Sequence, residues 1–190
     1  MKKLLTAALL ITCIFSTYSQ EKEESKSKAI VFSERDGSLI KREFYELPSV
    51  KSIDATCIVF TDELTKQKNG YLRLRTSSYS SALGEQDYYG ALDNDEIDAC
   101  IKSLQHIQTN TISSLPTLYT ECEYKTRDGV RIGVFLSSKD KKKNSESKWS
   151  LFVRTKSYTD KSLKFLEIED LQPLIDMMIQ AKSILKEKLM

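Results

Sequence analysis

A single histidine, His106, is all the imidazole in this chain. It lies nine residues beyond Ile97, about half a turn off the apolar stripe that Ile97 begins, so it is expected to face water. A serine or cysteine nucleophile needs its histidine in a cleft beside it, and nothing in the pattern puts His106 there. The six glycines are scattered, which excludes a glycine-rich phosphate loop. The four cysteines show no Cys-x-x-Cys spacing, which excludes the common zinc modules. Asp93, Asp95 and Glu96 lack the glycine and the terminal glutamate of a calcium loop, and helix capping accounts for them better. No cofactor is expected. A hydrolase whose carboxylates converge only in the fold stays open as an alternative.

Long apolar runs are also scarce. Leu4 to Phe15 is an uncharged stretch of twelve residues behind Lys2 and Lys3, followed by Ser16, Thr17 and Ser19. That suits a signal-peptide core and falls short of the roughly 18 apolar residues that cross a bilayer. Residues 1-19 are therefore expected to be a signal peptide cleaved before Gln20, sending the chain to the periplasm or outside the cell. The alternative is a lipoprotein anchored through Cys13, since Leu10-Ile11-Thr12-Cys13 approximates a lipidation box. Residues 20-28, charged and serine-containing, are expected to be a disordered spacer. No membrane span is expected. Cys57, Cys100 and Cys122 remain after cleavage and are expected as buried thiols, with a Cys57–Cys122 disulfide as the alternative in an oxidising compartment.

Charge of one sign is missing too. The chain has 29 basic and 27 acidic residues, and loss of Lys2 and Lys3 leaves 27 of each. A nucleic-acid binder shows a clear basic excess or stripe, so no nucleic-acid partner is expected. The basic cluster Lys139 to Lys143 reads as part of a solvated hairpin loop.

What the sequence does hold is a repeat. Leu72-Arg73-Leu74-Arg75-Thr76-Ser77-Ser78-Tyr79 and Leu151-Phe152-Val153-Arg154-Thr155-Lys156-Ser157-Tyr158 nearly match. An Arg-Asp-Gly turn precedes each, at residues 35–37 and 127–129. A helical run follows each, through Asp95-Glu96-Ile97 and Glu169-Asp170-Leu171. The first half offers strands at 29–33, 39–47, 56–61 and 71–77, with turns at Asp36-Gly37 and Asn69-Gly70. Its helix starts at Asp93, carrying Ile97, Cys100, Ile101, Leu104 and Ile107 on one stripe. The second half alternates more cleanly at Cys122–Tyr124, Val130–Leu136, Trp149–Val153 and Leu163–Ile168. It ends in a helix with Leu171, Leu174, Ile175, Met178, Ala181, Leu185 and Leu189 on one face.

The expected fold is α+β: a duplicated antiparallel β-sheet unit, about four strands plus one helix per half. The helices pack on one sheet face and the halves join into a continuous sheet about a pseudo-twofold. Residues 29-110 form the first repeat, 111-118 a linker around Pro116, and 119-190 the second repeat. In layout this resembles the TATA-binding-protein architecture, a duplicated sheet backed by helices, although the charge balance argues against a DNA function.

Strand alternation puts Tyr71, Arg73, Arg75, Phe152 and Arg154 opposite the apolar positions. Aromatics beside arginines suit a contact surface. These five are the candidate binding face of a non-enzymatic binding module for an unknown protein or small ligand. A carrier with an apolar pocket between sheet and helices is the other alternative.

Overall fold

The computed structural model describes residues 26–136 and 148–190. The expected signal peptide, the lipidation box at Cys13, most of the spacer and the basic loop lie outside the described residues. A short helix α1, Lys28–Ser33, comes first. The first sheet follows as a meander of β1 (Ile40–Val50), β2 (Ile53–Asp62), β3 (Lys68–Ser80) and β4 (Gly84–Asp93), leading into helix α2 (Asn94–His106). Residues 112–119 connect to a second meander of β5 (Thr120–Lys125), β6 (Arg131–Leu136), β7 (Trp149–Arg154) and β8 (Leu163–Leu166), and then to helix α3 (Leu171–Leu189). The protein is thus α+β, built from a duplicated antiparallel four-strand unit with one long helix per copy.

The repeated motif holds the two copies together. Thr76 within β3 and Thr155 just after β7 are both 0% exposed, and their hydroxyl oxygens stand 2.8 Å apart. Thr76 donates to the carbonyl of Ser162 and Thr155 to that of Tyr88, each at 3.2 Å. Tyr88 faces Thr76 across β3 and β4, and Ser162 lies one residue past the Arg154–Leu163 pair, opposite Thr155. Each threonine therefore binds the strand partner of the other, the reciprocity of a twofold contact. The hairpin turns repeat it. Arg127, between β5 and β6, donates its backbone N–H to Glu96 at 2.8 Å, while Lys51, between β1 and β2, lies 3.8 Å from Asp170.

The sheets remain separate, which corrects the expected continuous sheet. The backbone of β4 meets side chains where another strand would have to pair: Ala91 N–H donates to Asp128 at 3.0 Å and Tyr88 C=O accepts from Thr155. Gly90 lets the units close, because a Cβ there would fall 2.6 Å from the Thr155 carbonyl. The helices complete the core by crossing over. α3, from the second copy, lies along β1, β2 and β3 of the first sheet and against α2, and α2 touches β5. Leu104 and Met178 are fully buried there, in one cluster with residues of both sheets.

Several local expectations fail for identifiable reasons. Residues 29–33 form α1 and not a strand. Ser27 accepts from Ile30 N–H at 3.3 Å, and Ala29 and Phe32, three residues apart, are the buried side. Ser27 is itself buried, so it belongs to the folded part and not to a disordered spacer. The turn at Asp36-Gly37 joins α1 to β1, whereas the hairpin between β1 and β2 turns at Lys51 with φ +53°. The two Arg-Asp-Gly turns are therefore not equivalent. Asn69-Gly70 lies inside β3, where a Cβ on Gly70 would meet Leu185 of α3 at 3.0 Å. β4 was not expected at all. Cys57 and Cys122 are free thiols: Cys57 faces the Ala181 carbonyl of α3, while Cys122 sits on β5 beside Thr111. His106 is exposed at the end of α2, as expected. No helix among the described residues is long and apolar enough to cross a membrane.

Truncating Leu104 or Met178 to Ala is expected to cost about 2–5 kcal/mol in denaturant unfolding. Replacing His106 with Ala should change stability by less than about 0.5 kcal/mol. Similar small losses at all three positions would contradict the core described here.

Candidate functional site

The five expected face residues fall on two separate surfaces. Tyr71, Arg73 and Arg75 belong to β3 in the first sheet; Phe152 and Arg154 belong to β7 in the second. They do not form the single face across one sheet that the repeat suggested, because the units meet at the threonines and not edge to edge.

The outer face of the first sheet pairs Arg75 from within, although Phe44 and Tyr89 stay 53% and 42% exposed and Arg73 Nε is buried without a hydrogen-bond partner among the described residues. Arg75 reaches one Asp54 oxygen through Nη2 at 2.6 Å and Nε at 2.9 Å, and Asp87 at 3.2 Å. A hydrogen bond from Ser49 and those from Arg75 hold the Asp54 carboxyl below its ordinary range. The Arg73 guanidinium lies 5.2 Å from the Tyr89 ring and 5.9 Å from that of Phe44, and donates to Thr56 at 3.3 Å. Tyr71 is buried, 9% exposed. It stacks on Phe60 with ring centres 5.8 Å apart, and α1 closes over it together with Ile58 and Ala91. Burial pushes its phenol up.

Helix α1 is fastened by one carboxylate. Buried Asp93, at the end of β4, accepts from Ser27 Oγ at 2.5 Å, Lys28 N–H at 2.8 Å and Ala29 N–H at 3.1 Å. Arg127 of the second copy adds donors at 2.9 and 3.2 Å and also pairs with Asp95. Glu96 accepts the Asp93 N–H at 3.0 Å, which starts α2. The acidic trio that superficially suggests calcium is thus a junction for α1, α2 and the β5–β6 turn.

The outer face of the second sheet is different. Phe135 on β6 has the Phe165 ring edge-on at 5.5 Å and the Phe152 ring at 6.3 Å. Phe165, on the edge strand β8, is 65% exposed. Tyr119, Leu163, Arg131 and Arg154 complete an open groove of about 230 Å³ that Glu121 and Glu123 border. Arg131 pairs with Glu123 at 3.3 Å, and Arg154 with exposed Asp160 at 3.0 Å. The Nε atoms of both arginines are buried and find no hydrogen-bond partner among the described residues. Arg131 and Arg154 also face one another across β6 and β7, whereas the corresponding pair in the first sheet is Asp54 and Arg75. Like charges directly opposite are unfavourable, and here each arginine is balanced from outside the pair, by Glu123 and by Asp160, whereas in the first sheet the two members of the pair neutralise one another.

Sequence reasoning found Phe152 and Arg154 but missed their neighbours. Arg131 and Phe135 were legible as outward positions of an alternating strand, without a sign that they meet Phe152. Phe165 carried no signal in a strand of four residues.

Thiol chemistry is disfavoured at the two innermost cysteines, whose pKa burial pushes up to about 12 at both Cys57 and Cys100. Native protein at pH 8 is expected to give rapid thiol labelling at Cys122 alone among the three, with the other two reacting after unfolding. Fast labelling of Cys57 would contradict its place beneath α3. Replacing Arg127 with Leu strips a partner from buried Asp93 and is expected to cost about 3 kcal/mol in denaturant unfolding. The same change at Arg131, on the groove rim, should cost less than about 1 kcal/mol. No protein-family model matches this chain, and neither the curated proteins nor the solved structures contain a match to it.

Proposed function

We propose that the chain is an exported, non-enzymatic binding module whose working surface is the outer face of the second sheet. The observation that carries this reading is the half-stripped aromatic cluster. Phe165 stays 65% exposed beside Phe135 and Phe152, in an open groove with a guanidinium pair. Rigid rings at low entropic cost and forked donors are what contact surfaces use. The equivalent surface of the first sheet is covered by α1 at one end and matched by internal ion pairs at the other. Export rests on the short apolar run behind Lys2 and Lys3.

Two other readings fit less well. A hydrolase needs carboxylates free to exchange protons in a cleft. The four buried among the described residues are all engaged: Asp93 and Glu96 by backbone N–H groups and Arg127, Asp62 by the Leu64 and Thr65 N–H groups, and Asp170 by the Glu167 N–H. A carrier would enclose its ligand in an apolar cavity, and the groove over the second sheet is open.

The test is capture from native periplasm or culture medium, with the chain from Gln20 onward as bait. Phe165→Asp is expected to reduce the captured partner about tenfold or more, with the thermal midpoint close to the parent. Arg75→Gln on the first sheet should leave capture unchanged. Capture indifferent to Phe165→Asp would defeat the assignment of this face.

A further inference from the structure

The repeat itself indicates what covers the exposed face. Aligning the copies on Arg75 and Arg154 makes Tyr71 equivalent to Ser150 and Arg73 to Phe152. The strand registers then carry the equivalence outward. Ile58 faces Tyr71 and Phe135 faces Ser150, while Ala91 faces Arg73 and Phe165 faces Phe152. Ile58, Phe60, Tyr71 and Ala91 lie beneath α1 in the first copy. Phe135 and Phe165, the counterparts of Ile58 and Ala91, line the open groove of the second.

The anchor is repeated as well. Asp93 faces Tyr71, and Glu167, one residue past the Leu151–Leu166 pair, falls opposite Ser150. Glu167 accordingly corresponds to Asp93, Glu169 to Asp95 and Asp170 to Glu96. The local bonding agrees: Asp93 N–H donates to Glu96 at 3.0 Å, and Glu167 N–H to Asp170 at 3.2 Å. In the first copy this carboxylate set receives the capped start of α1, with Lys28 on Asp95 at 2.7 Å. In the second, Glu167 is largely exposed, caps the turn before α3 through the Asp170 N–H and pairs with the similarly exposed ammonium of Lys148.

We infer that the outer face of the second sheet receives, from a partner protein, a short amphipathic helix laid as α1 is laid on the first. The inference rests on the binding-face reading above and specifies its partner. Apolar residues three apart on the helix cover Phe135 and Phe165. The N–H groups of its first turn point to Glu167, as those of Lys28 and Ala29 point to Asp93. A basic residue at its start pairs with Glu169, as Lys28 does with Asp95. The partner segment thus has the chemistry of α1: a hydroxyl cap, a lysine or arginine, then small and aromatic residues on one side.

The probe is a synthetic peptide of residues 26–36 with blocked ends, titrated into the chain from Gln20 onward by NMR. The α1 site is already filled within the chain at high effective concentration, so the added peptide is left the second face. Saturable shifts of the Phe135, Phe152 and Phe165 ring resonances are expected. Phe165→Asp and Glu167→Lys in the protein, and Phe32→Ser in the peptide, should each weaken binding about tenfold or more. Phe165 is exposed, so Phe165→Asp is expected to keep the native thermal midpoint, while Glu167→Lys also removes the cap of the turn before α3 and is expected to lower its midpoint by a few degrees without unfolding the chain. The absence of saturable shifts, or shifts that survive Phe165→Asp, overturns the inference. So does self-association of the chain that Phe165→Asp abolishes, because a second copy would then be the occupant. If the peptide fails while Phe165→Asp still abolishes partner capture, the face binds something other than a helix and only this inference falls.

Discussion

Two threonine hydroxyls 2.8 Å apart stand at the centre of this molecule, and the arrangement of both copies depends on them. Each hydroxyl carries one proton, so at any moment two of the three contacts hold one: those between the hydroxyls, to Ser162 C=O and to Tyr88 C=O. Such a cluster is stable only when fully assembled, since a buried hydroxyl or carbonyl left without a partner costs about 1–3 kcal/mol. The contact therefore specifies one docking of the copies. Any slide of β3 past β7 would separate both threonines from both carbonyls at once.

That docking fixes where the rest must go. With β4 closed against the second copy through Gly90, Ala91 N–H and Tyr88 C=O, its outer edge cannot pair with another strand. Each sheet must then bury its inner face against helices, and a four-strand meander with a single helix is a small unit for that task. Crossing over solves the shortage. α3 covers the sheet of the other copy, Arg127 and Lys51 reach the other copy's helix starts, and the apolar side chains merge into one cluster. Neither half retains a closed core when separated from the other.

The fold was legible where burial is one-sided. The second half alternates residue by residue, and its four strands and helix fall where the pattern puts them. The first half misleads for physical reasons. β4 runs through Glu85, Gln86, Asp87, Tyr88 and Tyr89 before its buried end, because its outer positions serve ion pairs and the junction. α1 is rich in β-branched residues, yet helix capping and the Asp93 anchor outweigh that preference. The repeat was visible, but its meaning was reversed. The arginines drew attention as the exposed part, whereas the threonines beside them are buried at the axis. A buried threonine leaves no mark in a hydrophobic pattern, and only the three-dimensional register reveals its partner.

The candidate site follows from comparing the copies position by position. At the axis they are identical, threonine meeting threonine. On the outer faces they have parted: Asp54 against Arg131, Arg73 against Phe152, Ala91 against Phe165. Each change moves the second face away from self-sufficiency. A carboxylate that would neutralise an arginine becomes a second arginine. A guanidinium held between two rings becomes a ring, and a small residue beneath a helix becomes an exposed phenylalanine. A folded chain gains no stability from opposing like charges or an uncovered aromatic edge. Departures from local consistency concentrate where function demands them. Two copies sharing one architecture make the departure measurable within a single molecule, since the first sheet shows the same frame with α1 covering one end of its outer face and Asp54 pairing Arg75 at the other.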